Sequence, residues 1–183
     1  MPQQTQRKQW FTVQSPSYLD NSEIGDVRAT TESDIIGRTI TLNLSNVTDD
    51  KRKQDLEISF ELVGTDDGTG LTETKRVGMT EKAVNRMVRR GRTRVDASFP
   101  IESRDGKTLR IKPFIVTSGQ VSNSVATALR HKSEDILESF LADHDAANFF
   151  EQVVTNTIQR QLKNDLSEIT PLRYVGLRES VVE

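Results

Sequence analysis

Apolar residues recur every second position through most of the first two-thirds of the chain and change to a helical spacing in the last third. The run "WFTV", Trp10 to Val13, has strand character and is ended by Ser15-Pro16. In "IGRTITLNL" the positions Ile36, Ile40, Leu42 and Leu44 share one parity, and in "DLEISFELV" so do Leu56, Ile58, Phe60 and Leu62. Both segments predict half-buried strands. The turn-forming stretch "GTDDGTG" then leads to a shorter strand at about Leu71 to Arg76, which makes a hairpin. Further on, Val95, Ala97, Phe99 and Ile101 alternate with polar partners, "RDG" forms a turn, and Leu109, Ile111 and Ile115 alternate again. That is a second hairpin from about Arg92 to Thr117, with Pro100 and Pro113 suited to edges or bulges because they donate no ladder hydrogen bond.

The period changes after residue 121. Val125, Ala128, Leu129, Ile136, Leu137, Phe140 and Leu141 fall at helical spacing, as do Phe149, Phe150, Val153, Val154, Ile158 and Leu162. Two amphipathic helices are expected, over 122–142 and 145–164, with Asp145 as N-cap of the second. "PLRYVGLRES" reads as a last strand. The expected class is α+β, a mostly antiparallel sheet with a helix between its hairpins and two helices near the C-terminus. Residues 1–8, polar and rich in Gln, read as a mobile tail, and 9–183 as one domain.

Composition narrows the function classes. With 34% hydrophobic residues and 28% charged residues of nearly balanced sign, the chain should fold around a thin core. It has no cysteine, so disulfides, thiolate metal sites and cysteine nucleophiles are excluded. Neither a signal-peptide run nor an apolar stretch of membrane length is visible, which argues for a cytoplasmic protein without membrane partners.

Charge is unevenly placed. Lys75, Arg76, Lys82, Arg86, Arg89, Arg90, Arg92 and Arg94 stand against the single acid Glu81 within twenty residues, in a chain whose formal net charge is −2. Between Thr80 and Arg90 the apolar Ala83, Val84, Met87 and Val88 oppose Lys82, Arg86, Arg89 and Arg90 on a helical wheel. A basic helix over 80–91 is expected, capped by Thr80 and ended by Gly91. Its cations either form a solvated face that complements the helix dipole, or repel one another until a polyanion covers them. Arg110 and Lys112 share a face on the following hairpin, as do Arg92 and Arg94 on its partner strand; pairing would extend the patch, unless Asp96 or Glu102 takes these charges.

"KQWFTVQSP", "EIGD" with "IIGRTITLNLSNVTDD", "MTEKAVNRMVRRGRTRVDA", "DGKTLRIKP" and "TPLRYVGLRES" occur in that order across nearly the whole chain. In order and spacing these pieces resemble the archaeal and eukaryotic small-ribosomal-subunit family called S-three-A-e, or eukaryotic-type S-one. The resemblance implies a β-barrel-like sheet with packed helices, bound to small-subunit ribosomal RNA on the platform beside neighbouring ribosomal proteins, with ribosome association and no catalysis. Arg89, Arg90, Arg92 and Arg94 correspond to the family's basic helix and following strand, Arg110 and Lys112 to its "RIKP" strand, and Arg173 and Arg178 to its terminal motif. Beyond Pro113 the family's usual strongly basic segment is replaced by a nearly neutral one, which argues against RNA contact there. Overall acidity is also unusual for a ribosomal protein and is consistent with a salt-rich cytoplasm, where surface acids repel RNA only weakly.

Other signals reduce to structure. "DHD", Asp143 to Asp145, has metal-ligand residue types but no ligand set at a recognised spacing, and "GTDDGTG" lacks the Lys-Ser/Thr ending of a phosphate loop. Glu57 and Glu61 share a strand face without a nucleophile, base and orienter to make them catalytic, so no enzyme, small-molecule substrate, metal or cofactor is expected. Trp10 and Phe11 either stack on bases or anchor a strand, and the core is expected to take one of the two. A reading of a different class remains: a docking module whose basic face meets an acidic protein partner.

Overall fold

The computed structural model describes residues 8–183. Nearly all of the tail expected over 1–8 lies outside the described residues. Nine strands and five α-helices follow one another as β1 (Gln9–Gln14), β2 (Glu23–Ala29), β3 (Thr39–Asn43), α1 (Leu44–Thr48), β4 (Leu56–Asp66), β5 (Thr69–Met79), α2 (Glu81–Met87), β6 (Arg94–Asp96), β7 (Phe99–Glu102), β8 (Thr108–Thr117), α3 (Asn123–Asp143), α4 (Ala146–Val154), α5 (Thr157–Leu166) and β9 (Leu172–Val182). The class is α+β. Backbone pairing runs β2-β1-β5-β9-β8-β6, with β3 on β4, β4 on β5 and β7 on β8. This path is open. The barrel-like closure implied by the resemblance is absent among the described residues, and β6, with three residues, is too short to carry a closing ladder.

Among the described residues, internal contacts give two compact units, 8–54 with 58–75, and 55–57 with 76–183. In the first, β1 alternates strictly: Phe11 and Val13 are buried with Ala29, Ile35 and Leu62, while Trp10 faces outward at 68% exposure. One member of the aromatic pair is therefore in the core, as expected. The turn between β4 and β5 has Asp67 at φ 44° and Gly68 at φ 80°, the left-handed pair that suits a two-residue hairpin. The parity expected from Ile36 fails. β3 begins only at Thr39, after a 3-10 turn and Gly37 at φ 80°, so Ile36 is exposed and Ile35 takes the buried place.

In the second unit β8 lies between β9 on one side and β6 and β7 on the other. Pro100 sits on β7, which pairs only with β8, and the β8–β9 register shifts between Lys112 and Pro113, so both prolines occupy the places their missing N–H requires. α3 buries Ala126, Leu129, Ser133, Leu137 and Leu141 along one face. The helix expected over 145–164 is two helices, because Asn156 adopts φ 66° between α4 and α5. Each buries its own stripe, with Phe149, Phe150 and Val153 on α4 and Ile158 and Leu162 on α5. Asp145 precedes α4 without a side-chain cap, since both carboxylate oxygens accept from Arg104, at 3.0 Å each.

Candidate nucleic-acid interface

α2 begins where expected. Thr80 Oγ1 accepts from the backbone N–H of Ala83 at 3.3 Å, and Ala83 and Val84 are buried against Met79, Phe114 and Val116. It ends at Met87, earlier than the 80–91 span, because Val88 turns to an extended conformation and packs with Met87 against the same cluster. Continuing the helix would set Arg86, Arg89 and Arg90 at i, i+3 and i+4 with no acid between them, a destabilising arrangement. Arg89, Arg90 and Arg92 therefore stand in a loop, which Gly91 at φ 80° turns into β6.

The twelve candidate cations fall into two groups. Seven are tied to carboxylates of the chain. Lys75 meets Glu61 at 2.8 Å, Arg76 meets Glu179 at 2.6 Å, Arg86 meets Asp55, and Lys112 meets the second oxygen of Glu179. Arg94 reaches Asp96 at 2.5 Å, Arg110 reaches Glu183 at 2.5 Å, and Arg178 lies 3.8 Å from Asp96. Lys82, Arg89, Arg90, Arg92 and Arg173 have no carboxylate partner among the described residues, and all but the half-buried Arg92 are exposed.

The four-cation extension across the second hairpin does not form. Arg94 pairs in register with Val116, whereas Arg110 and Lys112 lie farther along β8, opposite Val181 and Glu179 of β9. β9 supplies the acids that the sequence reading missed. Lys112 donates to Glu179 and holds its carboxyl below the usual carboxylate range, with Arg76 adding to the effect against a desolvation penalty. Around this network Arg76, Arg94, Arg178, Glu179, Val84 and Asn85 line a cleft of about 500 Å³. Its three arginines are each held in an ion pair, Arg76 with Glu179 and both Arg94 and Arg178 with Asp96, so the cleft is bound into the scaffold.

Two of the unpaired cations, Arg92 and Arg173, lie at one end of the sheet. Thr117 N–H donates to Thr93 O at 3.0 Å, Ser118 N–H donates to Pro171 O at 3.0 Å, and Val116 pairs with both Arg94 and Tyr174. The start of β6, the end of β8 and the start of β9 thus lie side by side, with Arg92 just before β6 and Arg173 at the opening of β9. Tyr174 holds this end in place. Its ring sits 5.9 Å from that of Phe114, its hydroxyl donates to Met79 Sδ at 3.7 Å, and burial pushes its ionisation upward.

Among the described residues no cluster of acids and histidines is arranged to hold a metal, and no helix is long and apolar enough to cross a membrane. Comparison with known families places the chain among ribosomal proteins, which are structural components and not enzymes. The chain belongs to the Ribosomal S3Ae family, whose model matches residues 2–183. Its relatives include the small ribosomal subunit protein eS1 of Halorubrum lacusprofundi, 26% identical with 97% of this chain and 83% of the relative aligned. The proteins of the same name from Haloarcula marismortui and Nanoarchaeum equitans are each 26% identical, covering 98% and 97% of this chain and 84% and 89% of theirs.

Proposed function

We propose that this chain is a structural constituent of the small ribosomal subunit that binds ribosomal RNA through the loop after α2 and the adjoining start of β9. The observation that carries it is the trio Arg89, Arg90 and Arg92: three guanidinium groups within four residues, none matched by a carboxylate among the described residues, while cations on either side are matched. A chain with more acids than bases leaves these unmatched although acids are available. Phosphate oxygens fit guanidinium forks geometrically and relieve their repulsion. Lys82 and Arg173 complete the set. Arg76, Arg86, Arg94, Arg110, Lys112, Arg178 and Lys75 shape and brace the scaffold, and contact RNA only where a phosphate shares them with their acids.

The relatives are named small ribosomal subunit proteins; in that setting the proposed partners are small-subunit RNA and neighbouring ribosomal proteins, and the proposed location is the cytoplasm, in association with the ribosome. Co-sedimentation tests the reading. Wild-type chain should travel with small subunits and be released by nuclease, and Arg89→Glu/Arg90→Glu should shift it to the free fraction. A complex that survives nuclease would instead mark a docking module for an acidic protein.

A further inference from the structure

The only tryptophan of the chain is spent on no core. Trp10 is 68% exposed on β1, while its neighbours Phe11 and Val13 are buried on the opposite face. Its cross-strand partner on β2 is Arg28, whose guanidinium carbon lies 5.8 Å from the centre of the indole. Arg28 is exposed and has no carboxylate partner among the described residues; Arg38 Nη1 donates to its backbone carbonyl at 3.1 Å. Lys8 precedes Trp10 by two positions, and two beyond it Thr12 Oγ1 donates to the Asp26 carboxylate at 3.2 Å. The indole therefore has one cation over its ring, a second, Lys8, two positions before it in the chain, and a third, Arg38, held to the backbone of its cross-strand partner.

Those surroundings decide the kind of partner. An aromatic that docks a protein core is ringed by other apolar groups, whereas a flat ring interleaved with arginine and lysine is what unpaired bases and their phosphates require. Bases within a duplex already stack on each other, so only a single-stranded segment offers a free face. We propose that Trp10 and Arg28 form a stacking site for an unpaired nucleobase of single-stranded RNA, with Lys8 and Arg38 receiving the flanking phosphates. The inference rests on the reading of this chain as an RNA-binding protein and adds to it a second contact, made through a base and not through phosphates alone.

Because Trp10 is the sole tryptophan, its fluorescence reports on this site alone. The full chain is titrated with a short oligouridylate, following tryptophan emission and, with a labelled strand, anisotropy. Stacking should quench the emission, and Trp10→Ala should bind about 5- to 150-fold more weakly, the equivalent of ~1–3 kcal/mol per stacked base. Trp10→Phe should keep most of the affinity, and Arg38→Ala should make the log–log salt slope shallower by about 0.7. Equal binding by wild type and Trp10→Ala, or no binding by the wild type, overturns the proposal. Quenching by polyglutamate and not by oligouridylate overturns it in favour of an acidic protein partner. The phosphate-binding loop is judged separately, by whether Arg89→Glu/Arg90→Glu loses folded ribosomal RNA, so the failure of one site is distinguishable from failure of the other.

Discussion

Arg94 and Asp96 close a two-pronged ion pair on β6, with Nε 2.5 Å from one carboxylate oxygen and Nη2 3.1 Å from the other. The guanidinium also lies 5.3 Å from the centre of the Phe114 ring, so its charge is used on both sides. Arg94 thus differs in kind from Arg89, Arg90 and Arg92. Arg94→Ala should lower stability by about 1 kcal/mol, the usual scale for a partly exposed pair with a cation–π contact, and leave the salt dependence of RNA binding nearly unchanged. Arg89→Glu/Arg90→Glu should do the opposite, lowering RNA affinity at least about tenfold with no loss of stability. Urea denaturation and filter binding on both variants check the pair of outcomes.

Glu179 sits on β9, directly opposite Lys112 of β8, and accepts from Lys112 with one oxygen and from Arg76 with the other. Its carboxyl is held below its ordinary value of 4.5 chiefly by the hydrogen bond from Lys112. A depressed folded-state value means stability that is fully present above the unfolded value and lost as pH falls through the folded one. Unfolding measured across acid pH should therefore show a loss beginning near 4.5 and continuing below it. Glu179→Gln should flatten that part of the curve and cost about 1–3 kcal/mol at neutral pH, the range for losing charged hydrogen bonds.

Local pattern made most elements legible and left their partners hidden. Ile58, Phe60 and Leu62 share a parity and are all fully buried, and Asp67-Gly68 turns the hairpin as its residue types require. A period of two reports which face a side chain takes, but not which strand lies alongside. Arg76 and Glu179 are 103 residues apart, and Arg110 and Glu183 are 73 apart, so their pairings follow from strand order, which alternation does not encode. Arg94 is a different case: its partner Asp96 stands two residues away on β6, and the sequence offers that pairing as an alternative to RNA contact. Ile36 and Asn156 mislead for a different reason: each lies where one residue of left-handed backbone, Gly37 or Asn156 itself, breaks a periodicity that otherwise appears continuous. Early termination of α2 was foreshadowed by Arg86, Arg89 and Arg90 at helical spacing without an acid, a repulsion that apolar periodicity alone conceals.

Gly176 gives Tyr174 room to lie along β9. A Cβ at Gly176 would stand 2.7 Å from the Tyr174 hydroxyl oxygen and 2.8 Å from Cε1, closer than any real contact. Gly176→Ala should displace that ring from Phe114 and Met79 and cost about 1–3 kcal/mol by overpacking. Tyr174→Phe keeps the ring and removes only a long hydroxyl–sulfur contact, so it should cost under about 1 kcal/mol. Thermal unfolding of the two variants side by side separates ring placement from the hydroxyl.

Arg173 and the loop arginines reach the same end of the β6–β8–β9 ladder by different routes, one on β9 and the others ahead of β6. If Lys82, Arg89, Arg90, Arg92 and Arg173 each neutralise a phosphate, the log–log dependence of RNA affinity on salt should have a slope of about −3.5 to −4.5, spanning single-stranded and duplex values. Removing one member should make the slope shallower by about 0.7 to 0.9 whichever element carries it. Arg173→Ala should therefore match Arg92→Ala in slope, because each loses a single counterion-releasing contact, and both should retain wild-type stability. A slope unchanged by Arg173→Ala would confine the interface to the loop, and one unchanged by either would remove this end of the sheet from RNA altogether.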